Sequence, residues 1–274
     1  MRKIKSEVKT VLARELGISR GSLYYKAKQP EKDWKVKCLI EEALRGNPSY
    51  GHKRLADHLK MNKKKILRVM KIFGIKPYRR HVKKWKKTKN ISTVYPNLLL
   101  TNKPQHENHI WTSDFTYLLR SKKKTVYVAT VLDLWSKQIV GLSILTNHSV
   151  QLTTNALLSA LMSNPRPEIF HSDNGKEYDA KDFKTILENL DIKISRSKKG
   201  CPWENGYQES FYDKFKIDLG DPNRFDDLGE LVSAIYETIH YYNHRRIHTT
   251  LKMPPKQFAI KSKFATINLS RMSV

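Results

Sequence analysis

Three acidic side chains stand out because of the local patterns around them. Asp173 ends a short apolar run that predicts a buried strand, and the Asn-Gly pair after it is a turn signal. Asp114 lies in the alternating run 110–118, on the more polar face of a second predicted strand. Glu209 lies in a predicted helix over about 203–219. Two strands and one helix would therefore each carry one carboxylate.

The predicted helix has two distinct faces. Tyr207, Phe211 and Phe215 recur every four residues as an apolar stripe that should pack. A different face carries the polar side chains Glu209, Tyr212, Asp213 and Lys216. We therefore expect Glu209 to point away from the packed stripe.

An acid in mid-strand is costly unless it is paired or binds a metal. Three carboxylates can hold two divalent cations about 3.5–4 Å apart, of which one activates a water or a 3′-hydroxyl and the other stabilises the leaving oxygen of a phosphodiester. Hard oxygen ligands suit Mg²⁺. The chemistry predicted from these residue types is metal-assisted phosphodiester chemistry.

Several short motifs carry a family resemblance. They are Trp111-Thr112-Ser113-Asp114-Phe115-Thr116-Tyr117, His171-Ser172-Asp173-Asn174-Gly175, Ser197-Lys198-Lys199-Gly200, Glu204-Asn205, Glu209-Ser210-Phe211, Lys216 and Tyr242-Asn243-His244-Arg245-Arg246-Ile247-His248. With 35 residues between Asp173 and Glu209, the set resembles the DDE transposase and retroviral-integrase superfamily. More closely, it resembles the integrase-like second reading frame of bacterial insertion sequences.

The resemblance implies a ribonuclease-H-like α/β fold, a mixed sheet flanked by helices, preceded by small all-α modules. It implies that Asp114, Asp173 and Glu209 are the catalytic residues and the metal ligands. Two Mg²⁺ ions, which Mn²⁺ can replace, are the implied cofactors. The implied activity is metal-dependent DNA strand cleavage and transfer in transposition, by a multimer assembled on paired element ends.

Partners follow from the same resemblance, and further site residues follow from it and from the basic runs at 63–65 and 79–89. The partners are double-stranded DNA, as element terminal repeats and as target, a second copy of the chain, and a product of an upstream reading frame. The candidate DNA-binding residues are Lys216, Asn205, Lys63, Lys64, Lys65, Arg79, Arg80, Lys83, Lys84, Arg245 and Arg246. For Lys216 the alternative is charge balance to Asp213, and for the run 63–65 it is a solvated helix face.

The charge of the chain is strongly uneven. The net charge is +26; residues 1–105 carry 29 Lys and Arg against 7 Asp and Glu, whereas the remainder carries 23 against 19. A basic front half of this kind favours nucleic acid as the partner. Two cysteines make no disulfide framework, and no apolar run is long enough to span a membrane, so we expect a cytoplasmic protein without membrane contact.

The predicted organisation has five parts. Residues 1–30 predict a helix-turn-helix, 35–78 a second helical DNA-binding module, 79–105 a basic linker, 106–262 the catalytic core with its C-terminal helix, and 263–274 a tail. Asn62 should cap the last helix of the second module. Within the core, three neighbouring strands should form an antiparallel meander before helices and strands alternate.

Three alternatives stay open at this point. Asp133, another strand acid, could replace one of the three ligands. A stand-alone ribonuclease-H-like nuclease would share the triad but would need no DNA-reading modules in front of it. A domesticated DNA-binding regulator would use the core only for assembly and would have no need of an intact triad.

Overall fold

The computed structural model of the chain describes residues 10–17, 19–24, 28–78, 95–120, 124–198 and 201–272, without the side chains of residues 23, 24, 202 and 265–272. Within these ranges no helix is long and apolar enough to cross a membrane.

A five-stranded mixed sheet forms the centre of the larger half of the chain. Its strands are β1 (Ile110–Leu118), β2 (Val126–Asp133), β3 (Ile139–Leu145), β4 (Ile169–Ser172) and β5 (Lys193–Arg196). Their order across the sheet is β3-β2-β1-β4-β5. The first three strands pair antiparallel as a meander, whereas β1, β4 and β5 run parallel. This architecture confirms the predicted ribonuclease-H-like fold.

Helices cover both faces of the sheet. Those of the larger half are α4 (Val150–Ser163), the single turn α5 (Lys176–Asp179), α6 (Lys181–Asn189), α7 (Gly206–Leu219), α8 (Leu228–His244) and α9 (Pro255–Met272). Apolar side chains of α7 and α8 pack on one sheet face, and those of α4 and α6 pack on the other. Strand β2 is buried along nearly its whole length, which agrees with its nearly continuous apolar run.

One close approach explains a glycine in β3. A Cβ atom on Gly141 would lie 2.2 Å from the carbonyl oxygen of Ala156 and 2.8 Å from the Cβ of Ala160. Only a residue without a side chain allows α4 to lie this close to the strand.

The smaller half is a three-helix unit, formed by α1 (Gln29–Gly46), α2 (His52–Leu59) and α3 (Lys63–Ile72). Its own apolar core is built by residues such as Ile40, Leu55, Ile66 and Val69, all fully buried. Asn62 caps α3, as predicted, because its side chain accepts a hydrogen bond from the backbone N–H of Lys64.

Several predicted boundaries differ from the structure. Helix α1 begins at Gln29 rather than near residue 35, because Pro30 falls in its first turn, where a missing N–H costs nothing. Among the described residues, the second helix predicted for the helix-turn-helix is seen as a 3₁₀ turn, Arg20–Tyr24, following helical residues 10–15. At the other end α9 continues to Met272, so no separate tail begins at 263.

The predicted linker also ends earlier than residue 105. Residues 79–94 lie outside the described ranges, but the chain from Tyr95 onward belongs to the sheet domain. Leu98 and Leu99 pack against its core, and the backbone N–H of Leu98 donates to the Ser195 hydroxyl at 2.9 Å. Tertiary contacts therefore recruit a stretch that composition alone assigned to the linker.

Buried polar contacts join the helical unit to the sheet domain. The Arg246 guanidinium donates to the Asp218 carboxylate at 2.7 Å and to the Ser49 hydroxyl at 3.0 Å, and the backbone N–H of Ile247 donates to the Tyr50 hydroxyl at 2.9 Å. Ile247 also packs against the apolar core of the helical unit. The two halves therefore share one joint, at the end of α8.

Candidate active site

Asp114 and Asp173 lie on neighbouring parallel strands. In the pairing of β1 with β4, Thr112 stands opposite His171, and each aspartate follows two residues later. The carboxylate of Asp114 accepts the N–H of Phe115 at 2.8 Å, and that of Asp173 accepts the N–H of Gly175 at 2.9 Å. The sheet therefore holds the two acids side by side, as the strand predictions require.

Helix α7 is tied to β1 on both sides of Glu209. The side-chain amide of Gln208 donates to the carbonyl of Thr112 at 2.7 Å, and the Tyr212 hydroxyl donates to the carbonyl of Asp114 at 2.6 Å. Gln208 is fully buried and Tyr212 nearly so, whereas Glu209 between them is half-buried. These two contacts position the third acid against the strand that carries the first.

This packing corrects the predicted faces of the helix. Tyr207 is 46% exposed and does not belong to the packed stripe, although Phe211 and Phe215 are buried. Tyr212, predicted on the polar face, is instead buried through its hydroxyl contacts. Helical spacing could not reveal this because the burial of a tyrosine depends on hydrogen-bond partners from the sheet.

The start of α7 is also fixed to β1. Asn205 is 4% exposed, and its side chain accepts from the Thr112 hydroxyl at 2.7 Å and donates to the Ser113 carbonyl at 3.3 Å. The polar atoms of Asn205 are therefore used inside the protein, which argues against the predicted contact with DNA. The acid before it, Glu204, accepts from Asn97 at 2.8 Å and from the Lys198 N–H at 2.7 Å.

The electrostatics of Asp114 show that the three acids act on one another. Burial raises the pKa of Asp114 to about 8, and the negative charges of Asp173 and Glu209 push it in the same direction. The hydrogen bond from Phe115 and the charge of Lys216 oppose the rise in pKa. Asp114 is thus the carboxylate whose ionisation the site most disfavours.

The other two acids have raised pKa values with different causes. Burial and then the charge of Asp213 raise the pKa of Glu209. Burial also raises the pKa of Asp173, and the nearby Arg196 opposes that rise.

Arg196 is a positioning residue that sequence reasoning missed. Its guanidinium is 2% exposed and donates to the Ser172 hydroxyl and to the carbonyl of Tyr178. It thereby braces the chain on both sides of Asp173. The only signal in the sequence was an arginine directly after an apolar β-strand pattern, where a buried cation needs partners.

Glu177 is a fourth acid close to Asp173. Its negative charge raises the pKa of Asp173, and its carboxylate lies 3.1 Å from the ring of His148. Sequence reasoning missed both residues because 29 positions separate the histidine from the glutamate.

The acids match Mg²⁺ by donor chemistry rather than by a closed arrangement. All three offer carboxylate oxygens, and the repulsion felt by Asp114 is what a cation between them would relieve. Among the residues that the structure describes, no three His, Cys, Asp or Glu side chains form a group that could hold a metal ion as they stand. The carboxylate oxygens therefore fit Mg²⁺ as donors, although the described side chains do not form a closed metal site as they stand.

Asp133 is not an alternative ligand. It is the last residue of β2, three positions beyond Thr130, which the register pairs with Asp114. Its carboxylate is fully buried and accepts from the backbone N–H and the hydroxyl of Ser136 and from the N–H of Asn108. Asp133 therefore organises the β2–β3 turn.

The remaining DNA-binding candidates fall into three groups. Lys63, Lys64, Lys65 and Arg245 are exposed, and Lys216 is half-buried with its ammonium 5.4 Å from the centre of the Tyr117 ring. Arg79, Arg80, Lys83 and Lys84 lie outside the described residues. Arg246 is 1% exposed in its ion pair with Asp218 and joins the two halves, and this burial argues against the predicted contact with DNA.

Comparisons with known proteins identify the family of the chain. Two models of an integrase core domain match residues 104–202 and 190–255. The putative transposase InsK for insertion sequence element IS150 of Escherichia coli (strain K12) is 30% identical over 254 residues, covering 88% of this chain and 89% of that protein. The transposase for insertion sequence element IS904 of Lactococcus lactis subsp. lactis (strain IL1403) is 31% identical over 204 residues, covering 72% and 80%.

Among solved structures, the HTLV-2 integrase catalytic core domain in complex with magnesium is 20% identical and covers 57% of this chain and 99% of that one. Its TM-score of 0.44 is too low to add to the assignment. The sequence matches are sufficient to assign the family. The chain belongs to the insertion-sequence transposases of the DDE transposase and retroviral-integrase superfamily, and is a polynucleotidyl transferase.

Proposed function

We propose that this transposase cleaves and joins DNA strands at the ends of an insertion sequence in a metal-dependent reaction, with Asp114, Asp173 and Glu209 as its catalytic residues and metal ligands. The observation that carries the proposal is the raised pKa of Asp114, to which Asp173 and Glu209 both contribute. Acids that repel one another in this way are typical of a functional site rather than of a stabilising ion-pair network.

Each residue has a distinct task in the proposal. Two Mg²⁺ ions, which Mn²⁺ can replace, would activate the attacking oxygen and stabilise the leaving oxygen when bound. Gln208 and Tyr212 hold α7 so that Glu209 stays against β1. Lys216, whose charge already acts on Asp114, is suited to a phosphate oxygen of the bound DNA strand.

The helical unit is the proposed reader of the element ends. Lys63, Lys64 and Lys65 are exposed in the first turn of α3, and the front of the chain carries most of the positive charge. The proposed partners are the terminal repeats, the target DNA, a second copy of the chain, and a product of an upstream reading frame. The proposed location is the cytoplasm.

A test with purified protein separates the chemistry from binding. Asp173→Asn should abolish strand transfer on oligonucleotides from the DNA flanking the gene, while the affinity for those ends stays within about twofold. Asp182→Asn is the matched control because it makes the same chemical change at an exposed acid of α6. If Asp173→Asn still joined DNA ends, the assignment of the ligands would be wrong.

An excision test in cells separates the competing functions. The flanking DNA is placed on a plasmid, wild type or Glu209→Gln is supplied in trans, and any joined ends are sequenced. Junctions that need the wild-type protein support transposition. Cleaved but unjoined ends would indicate a nuclease, and binding without any chemistry would indicate a regulator.

A further inference from the structure

A cavity lies at the joint between the helical unit and the sheet domain. It measures about 340 Å³, and its lining includes Arg54 of α2, Lys137 of the β2–β3 turn, Lys214 of α7 and His248 beyond α8. The side chains that line it include no aspartate or glutamate. Two acids outside the lining interact with residues of the lining. Asp133 attracts Lys137, and Asp218 forms an ion pair with Arg246, which also lines the cavity.

The cavity opens on a different face of α7 from the proposed catalytic residue. Tyr207, Ser210 and Lys214 line it, at three- and four-residue spacings that share one side of a helix. Glu209 is absent from this set and lies beside β1. The cavity is therefore a separate site from the acidic one, although the same helix borders both.

Three cations near His248 affect its pKa. Burial is the main cause that lowers this pKa to about 4, and the positive charges of Lys137, Arg54 and Arg246 lower it further. The ring is therefore neutral at pH 7. Its Nδ1 accepts the N–H of Thr250 at 3.3 Å, which leaves Nε2 as an N–H donor.

The ammonium group of Lys137 is held at the cavity. It lies 4.3 Å from the centre of the ring of Tyr207, which also lines the cavity.

We propose that this cavity binds a phosphate group. Three cationic side chains from three separate elements, with one neutral N–H donor, suit an anion that has several oxygens around one centre. A phosphate is the anion that a DNA-handling protein meets, either in a DNA backbone or on a free nucleotide. For the DNA source, the inference rests on the DNA binding proposed above.

A bound backbone phosphate would have a structural consequence. Arg54 belongs to the helical unit, whereas Lys137 and Lys214 belong to the sheet domain. One phosphate held by all three would fix the DNA to both halves at their joint. The element end read by the helical unit would thereby keep a constant position relative to the acidic site.

The test compares a Lys137→Gln/Lys214→Gln double variant with a Lys193→Gln/Lys256→Gln control, which removes the same charge from two exposed lysines outside the cavity. Lys137→Arg/Lys214→Arg keeps the charge and checks that the positions tolerate substitution. Binding to a labelled duplex of the flanking DNA is measured by fluorescence anisotropy at several salt concentrations. The buffer contains EDTA, so the result does not depend on metal chemistry.

We expect the cavity variant to lose about one phosphate contact, which lowers the salt slope by about 0.9 and the affinity about fivefold at roughly 0.15 M salt. The control and the arginine variant should stay within about twofold of wild type. Titration with dAMP, followed by ³¹P NMR, is the second arm. Loss of dAMP binding in the cavity variant without loss of DNA affinity would assign the phosphate to a free nucleotide.

Two outcomes would contradict the proposals about the cavity and about DNA binding. If the folded cavity variant matches the control in DNA affinity, salt slope and dAMP binding, the cavity holds no phosphate. If wild type binds no flanking DNA at all, the proposed function fails, and the dAMP arm still decides the proposal about the cavity. Folding of every variant is checked by its thermal melting curve.

Discussion

The buried ion pair at the joint makes a strong prediction about stability. The Arg246 side chain is 1% exposed and that of Asp218 is 5% exposed, with 2.7 Å between the guanidinium and the carboxylate. Asp218→Asn removes the negative charge but leaves the guanidinium buried, with Ser49 as its remaining hydroxyl partner in this contact. We expect the free energy of unfolding to fall by about 3–5 kcal/mol, because a buried charge loses its counter-charge.

A matched exposed pair supplies the control. Asp179 and Lys184 are 3.1 Å apart, and the Asp179 side chain is 71% exposed. Asp179→Asn should cost about 0–1 kcal/mol, since water screens an exposed pair. Both variants are measured by urea denaturation followed by circular dichroism.

A double variant tests the physical reason. Asp218→Leu/Arg246→Met leaves no charge behind, so it should be more stable than either single substitution. The reasoning would be refuted if Asp218→Asn cost no more than Asp179→Asn. It would also fail if the double variant lost the sum of the two single costs.

Three further predictions concern the sheet domain. Gly141→Ala places its Cβ against the carbonyl of Ala156 and should cost about 1–3 kcal/mol in urea denaturation, whereas Gly46→Ala, which has open space, should cost nothing. Burial lowers the pKa of His171 to about 4, so the unfolded chain binds more protons as pH falls below about 6.5. Between pH 7.5 and pH 5 the free energy of unfolding of wild type should therefore fall by about 2 kcal/mol more than that of His171→Gln. Both proteins share the same carboxylates, so the difference between them isolates the histidine. Equal decreases would contradict the lowered pKa. Asn205→Ala should lower the free energy of unfolding by about 1–3 kcal/mol in the same assay, because it removes two internal hydrogen bonds. The DNA affinity of the folded variant, measured by fluorescence anisotropy, should not change. A lower affinity would indicate that Asn205 contacts DNA.

Much of the sheet domain was predictable because its signals are local. The alternation around Asp114 predicted the strand that the structure has, Ile110–Leu118. The apolar run before Asp173 likewise predicted the end of β4, and Asn62 was recognised as a cap from its neighbours. Such features depend on residues a few positions apart, where backbone geometry and side-chain period decide the outcome.

The two predicted DNA contacts that burial argues against have a common origin. Asn205 was interpreted as a DNA contact, yet its partner Thr112 lies 93 positions away in the chain. Arg246 was interpreted in the same way, and its partner Ser49 lies 197 positions away. No local period shows which distant polar groups will meet and exclude water from each other.

By itself the sequence determined the strands and helices that carry Asp114, Asp173 and Glu209, the family to which the chain belongs, and the basic front half. Only the tertiary structure decided how Gln208 and Tyr212 hold the third acid, how Arg246 joins the halves, and where Lys137 meets Arg54 and His248. The physical reason is that a side chain's charge and hydrogen bonds act over a few ångströms in space. Chain folding alone determines which residues come within that range.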